Sequence, residues 1–385
     1  MTSIMDTTST DLTSALGVQA YLASTPFASD TVTSISGGTA NFAYRIHLMT
    51  PFEGQETLVL KHAQPYVKDL SCIPFWLDRQ AFEYEAMTRI KAWLPADSPV
   101  TVPTIYKFDP QRNVIIMEDC GIDALTLKEF MRRGSGSESA APGLAATIGT
   151  SLGRFLGAMH AWSRADPDGI LELFAKNLQA LRLSAWATYG RVAETLQPRA
   201  GDDVPPALTD QPIVVSESDM GIVNEVAEEM GEAITAARDT FVMGDFWPGN
   251  IMVTLDSEQR LRRLYILDWE LAKTGVPGVE IGQFCAEMHL LRRFVPAIEE
   301  SVSTVLDTFL QAYADERQPE EEVARNALVH WGTHLVVWTP RVQWGDKDTT
   351  RKVVEEGLRI IVAASDATKE YLSRSLVSPL VSQHQ

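Results

Sequence analysis

Cysteine is scarce in this chain of 385 residues: Cys72, Cys120 and Cys285 stand far apart and share no metal-ligand spacing. That excludes a disulfide scaffold or a zinc module and predicts free thiols in a reducing, cytoplasmic setting. Long apolar runs are missing too. Stretches such as Leu335-Val336-Val337-Trp338 are core-sized, far short of the ~18 residues that cross a bilayer. Positive charge is in deficit, with 33 Lys and Arg against 51 Asp and Glu and a formal net charge of −18. A surface of that sign repels phosphate backbones and anionic lipid, so neither nucleic acid nor membrane is expected as a partner. The same field is compatible with a cationic, amine-bearing ligand. Met1 to Gly17 holds no Lys or Arg, only Asp6 and Asp11, which matches neither a secretory signal nor a transit peptide. Internal repeats are absent.

What remains is ordinary globular material, 45% hydrophobic and 22% charged, long enough for two domains or lobes. Its chemistry concentrates in two stretches. Val242-Met243-Gly244-Asp245-Phe246-Trp247-Pro248-Gly249-Asn250-Ile251-Met252-Val253 puts an aspartate five residues ahead of an asparagine, on a loop punctuated by Pro and Gly. Leu264-Tyr265-Ile266-Leu267-Asp268-Trp269-Glu270 ends a short apolar run on a carboxylate. A loop acid, an amide just beyond it and an acid after the next strand are the parts of a phosphoryl-transfer site. Asp245 accepts or orients the proton of an attacking hydroxyl, while Asn250 and Asp268 supply oxygen ligands for magnesium on nucleotide phosphates. A hairpin of 250–254 and 264–267, joined by the charged turn 255–262, lets Asn250 and Asp268 converge across 18 residues.

Nearer the start, Ile35-Ser36-Gly37-Gly38-Thr39-Ala40-Asn41 leads into Phe42-Ala43-Tyr44-Arg45-Ile46-His47-Leu48, a period-2 strand. Pro51 and Gly54 mark a turn, and Thr57 to Lys61 is the return strand. Small residues at Gly37 and Gly38 let backbone N–H groups approach phosphates, and a strand-end lysine, Lys61, pairs with phosphate oxygens. Leu77 to Trp93 is an amphipathic helix offering Glu83 or Glu85 as the ion-pair partner of Lys61. Asn113 to Met117 is a buried strand, and Glu118-Asp119-Cys120-Gly121 after it reads as a connector, where in a kinase-like fold backbone groups would hold adenine.

A low-complexity loop spans Gly134 to Gly143, and a mobile surface loop is expected over Pro198 to Asp219. Ile148, Leu152, Phe155, Leu156 and Met159 form a helical stripe ending at His160, which reads as a packing or hydrogen-bonding residue. After the second acidic motif the chain is helical: 281–294, 297–314, 320–337 and 353–372. Trp331, His334, Trp338 and Arg341 recur on one helical face, either as core or as aromatics and a cation lining a substrate pocket.

These motifs resemble the aminoglycoside phosphotransferase and choline kinase superfamily, whose signature is roughly His-Gly-Asp, four residues, then Asn, followed by Asp-x-Glu. Here the corresponding residues are Met243-Gly244-Asp245 through Asn250, and Asp268-Trp269-Glu270. The run Leu60-Lys61-His62-Ala63-Gln64-Pro65-Tyr66-Val67 and Leu77-Asp78-Arg79 through Glu83 resemble the 5-methylthioribose kinase branch. Tyr265 to Leu271, Val337-Trp338-Thr339 and Gln343-Trp344-Gly345 extend the likeness to a fungal branch of 4-hydroxytryptamine kinases.

The resemblance implies an α+β, bilobal protein-kinase-like fold with an antiparallel β-sheet N-lobe and a mostly helical C-lobe. A flexible leader over 1–18, an N-lobe over 19–120 and a C-lobe over 121–385 follow from it. It implies ATP and Mg2+ as cofactors and phosphorylation of a small-molecule hydroxyl. Asp245 would be the base; Asn250, Asp268 and Glu270 match the metal motif. Gly37, Gly38, Asn41, Lys61, Glu83, Met117 and Asp119 would hold the nucleotide, and Trp331, His334, Trp338 and Arg341 the substrate. Methionine at 243, where histidine is usual, requires the loop to be hydrogen-bonded differently and is the one feature favouring a regulatory pseudokinase. A protein kinase is disfavoured by the absence of His-Arg-Asp and Ala-Pro-Glu signatures. A sugar, an amino alcohol and a hydroxyindole all remain open as acceptor, and no pattern specifies an oligomeric state.

Overall fold

Alternation of apolar and polar side chains builds the first sheet. The computed structural model describes residues 10–38, 40–133, 142–199, 201–202, 204–209 and 212–381. Residues 1–9 of the expected leader, and 134–141 of the Gly/Ser-rich loop, lie outside these. The chain forms two units, residues 1–96 with 102–122, and residues 97–101 with 123–385.

The first unit opens with α1 (Ala15–Leu22), whose N-terminus is capped by the Ser14 hydroxyl accepting from the Gly17 N–H at 3.2 Å. Leu12 and Val18, within the stretch expected to be a loose leader, are buried in the core, because α1 packs its apolar side on the sheet. Five antiparallel strands follow: β1 (Ser29–Ser34), β2 (Phe42–Phe52), β3 (Gln55–His62), and, after the hairpin β4 (Tyr66–Val67) and β5 (Leu70–Pro74), the helix α2 (Arg79–Trp93) and β6 (Val100–Thr101, part of the second unit), then β7 (Ile105–Asp109) and β8 (Val114–Glu118). The sheet order is β1-β2-β3-β8-β7. Glu53 and Gly54 link β2 to β3 with φ of +48° and +81°. Both angles are positive, as a two-residue turn of the primed type requires to match strand twist. Tyr44, Ile46, Leu58, Leu60, Val114 and Ile116 point to one face and make the core with α1. Lys61, one residue out of phase, points to the other.

In the second unit β9 (Leu125–Thr126) and α3 (Leu127–Arg133) precede the long helix α4 (Pro142–Ser163), then α5 (Ile170–Phe174), α6 (Leu178–Leu196) and α7 (Glu217–Ala236). Within the expected surface loop before α7, Leu208 and Ile213 are buried, so apolar side chains anchor that crossing. Next come β10 (Phe241–Val242), β11 (Ile251–Leu255), β12 (Leu261–Ile266) and β13 (Lys273–Thr274). β10 pairs with β13, and a second sheet runs β6-β12-β11-β9. The helices α8 (Pro277–Phe294), α9 (Glu299–Arg317), α10 (Glu321–Trp338), α11 (Lys347–Ala364) and α12 (Lys369–Leu372) complete the chain. The expected helix 353–372 is thus two helices, broken at 365–368. α10 packs against α6, α8 and α11 and is buried along almost its whole length. No described helix is long and apolar enough to cross a membrane.

Candidate active site

The first unit holds the expected nucleotide-side residues. Gly37 and Gly38 lie in the loop between β1 and β2. Asn41, at its end, is buried, and its Oδ1 accepts from Arg79 Nη2 at 2.9 Å, tying the loop to α2. Lys61 Nζ donates to Glu83 Oε1 at 2.7 Å, with both side chains almost fully buried. Of the two candidate acids on α2, Glu85 instead pairs with the exposed side of Arg89. Met117 sits inside the sheet opposite Val59 and Ile105. Asp119 takes Arg45 in a two-point contact, Nε at 2.5 Å and Nη2 at 3.0 Å. Burial pushes its carboxyl up, but Arg45 and the Gly121 N–H outweigh burial and hold it below the usual range. The Asp119 side chain therefore braces the chain after β8.

The second unit holds the loop between β10 and β11. Gly244 stands there at φ +88°, where a Cβ would meet Leu271 O at 2.2 Å and Lys273 Nζ at 2.4 Å, so only glycine fits. Phe246 is buried against Phe284 and Phe309, which pins the loop into the helical core. Asp245 is presented between these anchors. Gln283 Nε2 on α8 donates to its Oδ1 at 2.6 Å, and Asn250 Nδ2 donates to its Oδ2 at 3.0 Å. Burial and the Asp268 carboxylate push Asp245 up to about 7, against the pull of Gln283, Asn250 and Lys273. Lys273 is itself pushed down to about 8 by burial, opposed by Glu280 and Asp245.

Asn250 ends a turn of 3-10 helix (Pro248–Asn250), and its carbonyl accepts from the Leu267 N–H at 2.8 Å across the hairpin. Asp268 follows at φ +67°, a left-handed conformation that side chains rarely adopt. Trp269, fully buried, stacks on Phe241 and donates to Ile266 O, and Glu270 is buried. The donor set suits magnesium. Asn250 directs its NH2 to Asp245, which leaves the amide oxygen as its hard donor, and the repulsion between Asp245 and Asp268 is what a divalent cation relieves.

Methionine at 243 is fully buried, and the loop is held by another route. The Gly244 N–H donates to Glu280 Oε1 at 2.7 Å, and Glu280 Oε2 lies 2.8 Å from His160 Nε2. Burial pushes His160 down, so it is neutral. A carboxylate only accepts, hence Nε2–H donates to Glu280 and Nδ1 accepts from the Tyr313 hydroxyl at 2.9 Å. His160 is thus a hydrogen-bonding residue two bonds from the loop. Gln283 and Glu280 escaped the sequence reading, although both stand one turn apart or less on α8, directly after the acidic motif.

Of the four expected substrate residues, His334 and Trp338 lie side by side with ring centroids 6.2 Å apart. Trp331 is 1% exposed, edge-on to His289 in the core, because α10 is enclosed on all sides. Trp338 donates to Thr188, and Arg341 to Thr195 and Glu194, so both face α6. His334 also turns toward α8, its Nε2 3.0 Å from Glu287 Oε1.

With this geometry in place, the family model described as the phosphotransferase enzyme family matches residues 31–324, and the chain belongs to that family. It is an ATP-dependent small-molecule kinase acting on a hydroxyl group. It is 28% identical to the 4-hydroxytryptamine kinase of Psilocybe cyanescens over 383 residues, 97% of this chain and 98% of that one. Identity to the 4-hydroxytryptamine kinase of Psilocybe cubensis is 27%, over 85% of each chain. The solved choline kinase LicA from Streptococcus pneumoniae aligns over 90% of this chain and 98% of its own, at 14% identity and a TM-score of 0.48.

Proposed function

We propose that this kinase transfers the γ-phosphate of ATP to the hydroxyl of an amine-bearing small molecule, in cytoplasmic secondary metabolism, and that a hydroxyindole of the 4-hydroxytryptamine kind is its acceptor. The observation that carries the mechanism is the two-point hold on Asp245 by Gln283 and Asn250. Near-full-length likeness to two 4-hydroxytryptamine kinases and the net charge of −18 support the acceptor class. Asp245, oriented by two amides, takes the hydrogen bond of the acceptor hydroxyl and aims its oxygen. Its raised pKa makes it a better proton acceptor than a surface carboxylate. Asn250 and Asp268, with Glu270 behind them, would hold magnesium, which neutralises charge on the phosphates when bound. Lys61, fixed by Glu83, pairs with phosphate oxygens. Backbone N–H groups around Gly37 and Gly38 approach the same phosphates.

The test is ADP formation from magnesium–ATP with a panel of 4-hydroxytryptamine, choline, methylthioribose and an aminoglycoside. Turnover on 4-hydroxytryptamine, lost in Asp245→Asn, is expected; a preference for methylthioribose or the aminoglycoside would overturn the acceptor class.

A further inference from the structure

One face of α2 is given over to the strand and loop expected to meet nucleotide phosphates. Glu83 takes the Lys61 ammonium, and Gln80 Nε2 donates to the Lys61 carbonyl at 3.2 Å. Arg79, one turn before Glu83 and only 2% exposed, reaches further. Its Nη1 donates to Phe75 O at 3.0 Å and to Trp76 O at 2.8 Å. Its Nη2 donates to Asn41 Oδ1 at 2.9 Å and to Gln64 O at 3.0 Å. Each terminal nitrogen carries two N–H groups, so all four are engaged. The guanidinium also stands over the Phe75 ring, 4.1 Å from its centroid. A lysine, with a compact ammonium in place of a planar fork, cannot reproduce this pattern.

Three segments meet at this one side chain. Gln64 follows β3 and therefore Lys61, Phe75 and Trp76 follow the β4–β5 hairpin, and Asn41 ends the glycine loop. The hairpin itself reaches back to the loop. The Lys68 N–H donates to Ala40 O at 3.2 Å, and Lys68 Nζ donates to Gly38 O at 3.4 Å. At Gly37 and Gly38 an added Cβ would meet nothing within 4 Å. The loop is thus open beside its glycines, where phosphates would approach, and is anchored at Ala40 and Asn41. A loop with so little packing at its tip samples many shapes, and holding one in advance removes that entropy from the cost of binding.

We propose that Arg79 is a positioning residue of the nucleotide site. Through Asn41 it locks the glycine loop in register with Lys61, so that the loop N–H groups and the Lys61 ammonium meet the same phosphates together. This rests on reading Gly37, Gly38 and Lys61 as the phosphate contacts of the kinase. Buried as it is, Arg79 acts through its neighbours. None of these contacts involves the connector after β8, where adenine is expected, so the lock bears on the phosphates.

The experiment is calorimetric titration of the full chain with magnesium–ATP and, separately, with adenosine, which lacks the phosphates. ADP formation with 4-hydroxytryptamine is followed in parallel. The proteins compared are the wild type, Asn41→Ala, Arg79→Lys, the double variant and Lys61→Met. Asn41→Ala removes the acceptor on the loop while Arg79 keeps its three backbone carbonyls, so it alone decides the outcome if Arg79→Lys does not fold. Each of these two single variants should weaken magnesium–ATP about tenfold, the order of one charge-assisted hydrogen bond, and leave adenosine within about twofold. The double variant should lose no more than the worse single one, because both break the same link. Equal weakening of ATP and adenosine by Asn41→Ala, or no effect on either, overturns the proposal. Losses that add in the double variant overturn it too, since Asn41 would then contact the nucleotide on its own account. If Lys61→Met changes neither ATP affinity nor ADP formation, the phosphate assignment fails and the lock fails with it. If Lys61→Met is impaired but Asn41→Ala is not, only the lock fails.

Discussion

Asp245 is held by two amides and pressed by burial and a neighbouring carboxylate, so its protonation is finely set. Asp245→Asn keeps the size of the side chain but removes the proton acceptor. Turnover should fall by about 10²–10⁴ while ATP affinity, read by calorimetry, stays within about twofold because Lys61 and Glu83 are untouched. The same carboxyl makes a pH prediction. Its folded pKa of about 7 lies above the unfolded value of 3.8, so folding favours the protonated form. That contribution to stability is fully present below pH 3.8 and is lost as pH rises through 7. Without magnesium, the melting temperature relative to Asp245→Asn should therefore fall between pH 5 and 7.5, and added magnesium should restore it. A third residue-scale prediction concerns Glu280, whose one oxygen holds the Gly244 N–H and whose other meets His160. Glu280→Gln exchanges a charged hydrogen bond for a weaker one, worth about 1.5–3 kcal/mol when lost. We expect kcat to fall at least tenfold with the KM for ATP unchanged. Equal loss in both would mean that Glu280 only supports the fold.

Among elements, the α4–α9 pair shows what a sequence can and cannot say. The apolar stripe on α4 was plain in the spacing of Ile148, Leu152, Phe155, Leu156 and Met159, and these residues are buried. Gly149, Gly153 and Gly157 stand at fourfold spacing on the same helix and drew no reading, because their meaning depends on a helix some 150 residues on. A Cβ at Gly153 would sit 2.2 Å from Phe309 O, so the two backbones pack at a distance only glycine permits. Gly153→Ala should cost about 1–3 kcal/mol in urea unfolding, as overpacking does. Gly231 on α7, where nothing lies within 4 Å of a built Cβ, is the control. Gly231→Ala should stabilise by about 0.5–1 kcal/mol, the ordinary helix-propensity gain. A similar contrast explains Trp331. Its helical spacing with His334 was legible, but whether that face met solvent depended on α6, α8 and α11 packing around α10.

At the scale of the molecule, local signals carried far. Period-2 strands, the Gly54 turn, the Asp245–Asn250 spacing and the Lys61 strand end were all readable because each is set by residues close in sequence. Gln283 on Asp245 and Glu280 on Gly244 were not, because each joins elements that only the fold brings together. Net charge is the one global property read from composition alone, and it makes its own prediction. A chain with a formal charge of −18 attracts a cationic acceptor over about a Debye length, ~10 Å at 0.1 M salt. Raising salt from 0.02 to 0.3 M at fixed free magnesium should therefore lower kcat/KM for 4-hydroxytryptamine severalfold, by screening encounter. Neutral 4-hydroxy-3-ethylindole, which lacks only the amine, supplies the internal control, since it shares the hydroxyl, the ring and the nucleotide step but carries no charge to steer. If both acceptors lose activity in parallel, salt acts on the nucleotide or on the fold, and the acidity of the chain has no part in choosing its substrate.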